Sequence, residues 1–236
     1  MMGSALVAAR EYVLKEYPNA FLAILAGSVV RGEGTETSDL DIVIITDGEE
    51  PPYRKSVIYQ KWPIELFVYN QKAYKEQCQR EVEKAKPFLL TMIVEGIPII
   101  DRDKNFHLLK REAEEILKKG PRELSPKEID NYRYTITALL EDLKGSENHY
   151  EGIFIVNKLS MLLAEFIMRL NRRWIGDGKW AYKVLKEFDE EIADKFTQSF
   201  SQFYSNDNKE EIIAFTEGIL KPVGGLLFEG VKNSLM

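Results

Sequence analysis

Asp39 and Asp41 flank Leu40 at the mouth of an apolar run that continues Ile42-Val43-Ile44-Ile45, and this pairing limits the folds open to the chain more than anything else in it. The run reads as a strand, and side chains on a strand alternate faces, so the two aspartates point the same way. Two carboxylates held side by side repel, at a cost in stability that a cation between them removes. The chain is therefore expected to build a buried strand whose first residues serve a metal ion.

The neighbouring elements follow from apolar periodicity. Residues 4–16 carry Leu6, Val7, Val13 and Leu14 at helical spacing and stop before Pro18, which predicts an opening helix. Residues 20–26 are almost uniformly apolar up to Gly27, as in a strand buried on both faces, and residues 40–46 form the next strand. After the turn-forming residues 47–52, strands are expected over 55–60 and 64–69. Helices are expected over 73–86 and 87–95, with Pro87 in a first turn, and Ile97-Pro98-Ile99-Ile100 reads as an edge strand because its proline cannot donate to a ladder. Beyond Asp101 the pattern is helical. Gly120-Pro121 breaks it, and Ser125-Pro126 restarts it as a cap followed by a first-turn proline. The expected class is α+β: a small mixed β-sheet domain with helices over residues 1–122, then an all-α helical-bundle domain over 123–236.

Composition narrows the function. With 236 residues, 44% of them hydrophobic, the chain can bury a core without staples, and its single cysteine, Cys78, excludes an internal disulfide and a cysteine-rich zinc site. A formal net charge of -6 gives no basic footprint for a long nucleic acid. No apolar run approaches a membrane span, and no charged-then-apolar leader is present, so a cytoplasmic protein is expected.

Mg²⁺ takes oxygen ligands, commonly one or two protein carboxylates with the rest from substrate phosphates and water. Asp39 and Asp41 suit it. Two-metal phosphoryl chemistry calls for a further carboxylate, and Glu65, a lone acid in the apolar stretch Ile64-Glu65-Leu66-Phe67, is the candidate third ligand. Upstream, the Gly27-Ser28 turn is expected to open a short helix whose N–H groups, with the Ser28 hydroxyl, receive a phosphate, and Arg31 adds charge. Gly27-Ser28, Arg31-Gly32 and Ser38-Asp39-Leu40-Asp41, with Glu65 later, resemble the polymerase-beta-type nucleotidyltransferase superfamily. The short length and helical second half resemble its small-molecule branch, the aminoglycoside and lincosamide nucleotidyltransferases.

That resemblance implies transfer of a nucleoside monophosphate from a nucleoside triphosphate, ATP first among them, to a hydroxyl of a small, aminoglycoside-like molecule, with Mg²⁺, two ions, and release of pyrophosphate. It assigns Asp39, Asp41 and Glu65 to metal and catalysis, and Gly27, Ser28, Arg31 and Ser38 to the nucleotide. Glu65 departs from the aspartate that many members carry. In the helical half, Glu141 and Asp142 are candidate general bases, of which only one can face a cleft because helix neighbours lie about 100° apart. Lys179, in Gly176-Asp177-Gly178-Lys179-Trp180, is the candidate cation for the triphosphate. The same resemblance allows a homodimer. It also leaves two alternatives: an antitoxin-like transferase acting on a protein hydroxyl, and a catalytically silent nucleotide-binding module.

Overall fold

The computed structural model describes residues 2–230, so Met1 and residues 231–236, the end of the expected helical domain, lie outside the described residues. The chain divides between Gly120 and Pro121 into two compact units.

The first unit opens with α1 (Met2–Glu16), followed by β1 (Leu22–Ala26), β2 (Leu40–Thr46), β3 (Tyr53–Tyr59) and β4 (Trp62–Asn70). Then come α2 (Gln71–Lys84), α3 (Phe88–Glu95), β5 (Ile97–Asp101) and α4 (Phe106–Lys119). The five strands form one mixed sheet in the order β3-β4-β2-β1-β5. Its central pair, β2 and β4, is parallel, with Leu40 opposite Ile64 and Asp41 opposite Glu65, while the other pairings are antiparallel. The proline-bearing strand β5 sits at an edge, and its register shifts between Ala23 and Ile24 of β1.

Alternation sorts the side chains cleanly. Ala23, Leu25, Leu40, Ile42, Ile44, Ile64, Leu66 and Val68 all pack in one buried cluster with Ala5, Ala9, Tyr12 and Val13 of α1. The intervening residues, Asp41 and Glu65 among them, therefore look to the opposite face, the side on which α2 and α3 pack. A strand pattern that is apolar on both faces, as in β1, arises because helices cover the sheet from both sides.

One helix end and one helix start refine the expectations. The helix expected over 73–86 stops at Lys84, because Ala85 turns into the left-handed region at φ 56°. Pro87 is the N-cap of α3 rather than part of its first turn, and it offers no side-chain hydrogen bond. The cap comes from elsewhere: Glu81 of α2, only 3% exposed, accepts from Leu89 N at 2.7 Å and Leu90 N at 3.0 Å.

The second unit is helical: α5 (Pro126–Gly145), α6 (His149–Leu170), α7 (Lys179–Phe188), α8 (Glu190–Asn206) and α9 (Glu210–Leu220), ending in a short 3₁₀ turn. Ser125 and Glu128 form a full capping box on α5, with Pro126 in its first turn. Phe166, Phe203, Leu140 and Leu163 are fully buried in this unit. No helix among the described residues is long and apolar enough to cross a membrane.

Candidate active site

The first unit brings Asp39, Asp41 and Glu65 together: one carboxylate oxygen of each lies within 4.8 Å of the others. Asp39 and Asp41 share a face by strand alternation, and the parallel register of β2 and β4 sets Glu65 directly beside Asp41. All three are half-buried. Burial pushes the Asp41 carboxyl up to about 6, and the charges of Asp39 and Glu65 add to the effect while Arg31 and Arg54 oppose it. A carboxylate so disfavoured in its ionised form marks where positive charge is in deficit. Three convergent oxygens of this kind fit a divalent cation such as Mg²⁺.

Gly27 ends β1 beside Asp41. Its φ is +83°, and a Cβ built on it would lie 2.1 Å from Asp41 Oδ2, so both the turn and the carboxylate exclude a side chain. The helix expected after Gly27-Ser28 does not form. Instead, overlapping turns run through residues 28–33, with Val30 N and Arg31 N donating to Gly27 O, Gly32 N to Val29 O and Glu33 N to Ser28 O. Gly32 at φ +76° stops any helical continuation. The N–H groups of residues 30–33 are thereby used within the turn, which leaves the Ser28 and Val29 N–H groups as its backbone donors for an anion.

Ser28 and Ser38 meet directly, Ser28 Oγ donating to Ser38 Oγ at 3.2 Å, and Ser38 Oγ accepts from Thr35 N at 2.9 Å. The intervening loop is thus tied back to the Gly-Ser turn at the residue preceding Asp39. Arg31 is held by Glu95 at 2.9 Å and by Glu33 at 3.2 Å, so its charge is shared with two acids.

One member of this constellation escaped the sequence reading. Arg54 of β3 donates from Nη2 to Glu65 Oε2 at 2.5 Å. An arginine on a polar edge strand is an ordinary solubility device, and only the β3–β4 register reveals its target.

The remaining candidates belong to the helical unit. Glu141 and Asp142 are both exposed on α5, and Glu141 pairs with Lys144 at 3.0 Å. Lys179 is exposed at the first position of α7, after Gly178 at φ +52°. Nearby, Gly176 is required by close approach, since a Cβ there would lie 2.3 Å from the Trp180 carbonyl. The same unit holds a polar group that periodicity did not suggest: Tyr132 donates to Glu165 at 2.5 Å, and Arg169, 4% exposed, buries an Nη1 with no hydrogen-bond partner among the described residues.

Residues 7–115 match the nucleotidyltransferase domain family. Among solved structures, a nucleotidyltransferase-like protein from Exiguobacterium sibiricum 255-15 is similar with a TM-score of 0.54 and 13% sequence identity, over 92% of this chain and 74% of that one. A likeness at that identity is one of fold, and it extends through the helical unit. No curated protein matches the chain in sequence.

Proposed function

We propose that this chain, whose residues 7–115 match the nucleotidyltransferase domain family, moves a nucleoside monophosphate from a nucleoside triphosphate to a hydroxyl of a small molecule and releases pyrophosphate. ATP is the donor to test first, and aminoglycoside-like polyols the first acceptors. The observation that carries the reading is the convergence of Asp39, Asp41 and Glu65 beside the Gly27 turn.

In the balanced step, the acceptor oxygen bonds to the α-phosphorus as the bond to the bridging oxygen breaks, pyrophosphate departs and the hydroxyl proton passes to a base. Asp39, Asp41 and Glu65 would hold the Mg²⁺, which when bound offsets phosphate charge and lowers the pKa of the attacking hydroxyl. Ser28, with the backbone at the start of the turn, orients the triphosphate, and Gly27 keeps that backbone close to Asp41. Arg31 adds positive charge beside the turn. Ser38 fixes the loop that delivers Asp39. From the helical unit, Lys179 would neutralise triphosphate charge, and Glu141 or Asp142 would receive the proton.

The decisive experiment follows pyrophosphate release from Mg²⁺-ATP with a panel of hydroxylated acceptors. Asp41→Asn is expected to remain folded and to lose at least about a hundredfold in rate, as removal of a charge-stabilising group does. Unchanged turnover in that variant would overturn the reading.

A further inference from the structure

Arg54 is 61% exposed, yet its guanidinium is held from two sides. Nη2 bonds Glu65 Oε2 at 2.5 Å, and the guanidinium lies over the Phe67 ring, 5.3 Å from its centroid. Phe67 is itself braced edge-on by Phe88 at 5.0 Å. The hairpin register explains the reach: Arg54 stands opposite Phe67, and Glu65 opposite Ser56, so the side chain crosses diagonally to the acid. An exposed arginine normally loses rotamer freedom in making such a pair, and the aromatic support lowers that loss.

Glu65 needs a hold that the aspartates do not. Its extra methylene adds a rotatable bond between backbone and carboxylate, whereas Asp41 is placed by β2 and by the Gly27 backbone against it. Arg54 engages Oε2, while Oε1 has no hydrogen bond among the described residues. Resting on the metal-binding reading of the triad, we propose that Arg54 is a positioning residue: it fixes the Glu65 carboxylate so that its second oxygen is presented to the cation. Hydrogen-bond partners of metal ligands act in this way, and losing them costs about 10–100-fold in affinity.

The sign of the effect separates positioning from mere charge. A cation beside the site repels an arriving metal ion, so if charge alone mattered, removing Arg54 would tighten binding. Positioning predicts the reverse. The test measures Mn²⁺ binding to the full chain by the electron paramagnetic resonance of free Mn²⁺, with no nucleotide or acceptor. Arg54→Ala is expected to weaken binding about tenfold while the metal-free melting temperature stays within a few degrees, and Arg54→Lys to recover part of the loss. In a Glu65→Asp background, where the carboxylate is drawn back by one methylene, Arg54→Ala is expected to change affinity by less than about twofold. Asp41→Asn serves as the control. If it abolishes Mn²⁺ binding while Arg54→Ala leaves binding unchanged or tighter, the role of Arg54 is refuted and the metal site stands. If Asp41→Asn binds Mn²⁺ as the native chain does, the metal reading falls, and the proposal with it.

Discussion

Gly27 leaves no room for a side chain against Asp41, so each residue limits the other. Gly27→Ala would place a methyl group where Asp41 Oδ2 now lies, on a backbone with φ +83° that disfavours any side chain. The expected result is a loss of about 1–3 kcal/mol in stability with a larger proportional loss of Mg²⁺-dependent pyrophosphate release, read by denaturant unfolding and by rate. A variant of native activity would show that the carboxylate position is unimportant. Asp41 also sets a pH dependence in the absence of metal. Its carboxyl is raised from 3.8 to about 6 on folding, so the folded state binds more protons than the unfolded state between those values. The contribution of Asp41 to stability is therefore full below about pH 4 and is lost as pH rises through about 6. Asp41→Asn removes this slope, and the metal-free variant is expected to be more stable than the native chain above pH 6. Denaturant midpoints from pH 4 to 8 check it, and parallel curves for the two proteins would count against it. The aspartates and Gly27 were legible because their signal is local: a spacing of two on a strand and a glycine at its end. Arg54 was not, because its significance lies in a partner eleven residues away, reached through a register that composition does not encode.

At the scale of elements, the starts of α5 and α3 differ in how far their caps lie along the chain. The α5 cap is contained in Ser125-Pro126-Lys127-Glu128: the Ser125 cap and first-turn Pro126 were readable in the sequence, and the structure adds the return bond from Glu128 that completes a capping box. Arg122 and Ser125 hold the Glu128 carboxyl down to about 2. The α3 cap comes from Glu81 across the break at Ala85, and single-helix reasoning placed Pro87 in its first turn instead. Burial raises the Glu81 carboxyl, while the two N–H groups it serves act to lower it. Glu81→Ala would strand two buried donors at Leu89 and Leu90, with an expected cost of about 2–4 kcal/mol in thermal or denaturant unfolding, whereas Glu81→Gln keeps an acceptor and is expected to lose less than half of that. Because α3 carries Glu95, the partner of Arg31, the alanine variant is also expected to loosen the Gly-Ser turn. Equal stability of the two variants would show that the carboxylate does not cap α3.

At the scale of the whole molecule, the chemistry proposed here is divided unequally between two units. The sheet cluster that carries the triad draws all its buried members from residues 5–68, and α4 packs on α3 within the same unit. A fragment of residues 1–120 is therefore expected to fold cooperatively and to bind Mn²⁺ within about threefold of the full chain, since every candidate ligand is retained. A cut before α4 at residue 102 should fail that test, because Ala113 is buried and its packing partners would be exposed. ATP should behave differently from the metal. If Lys179 supplies charge to the triphosphate, both the 1–120 fragment and full-length Lys179→Ala lose ATP affinity while keeping Mn²⁺ affinity, and their losses are similar in size. Calorimetric titration of each protein with Mn²⁺ and with Mg²⁺-ATP reads this directly. Loss in the fragment alone would assign nucleotide recognition to helical-unit residues other than Lys179, and loss in neither would confine it to the first 120. The asymmetry has a physical basis: metal ligation needs a few oxygens within one short-range constellation, which neighbouring strands can hold, whereas recognition of an acceptor depends on a pocket lining that periodicity and spacing do not reveal.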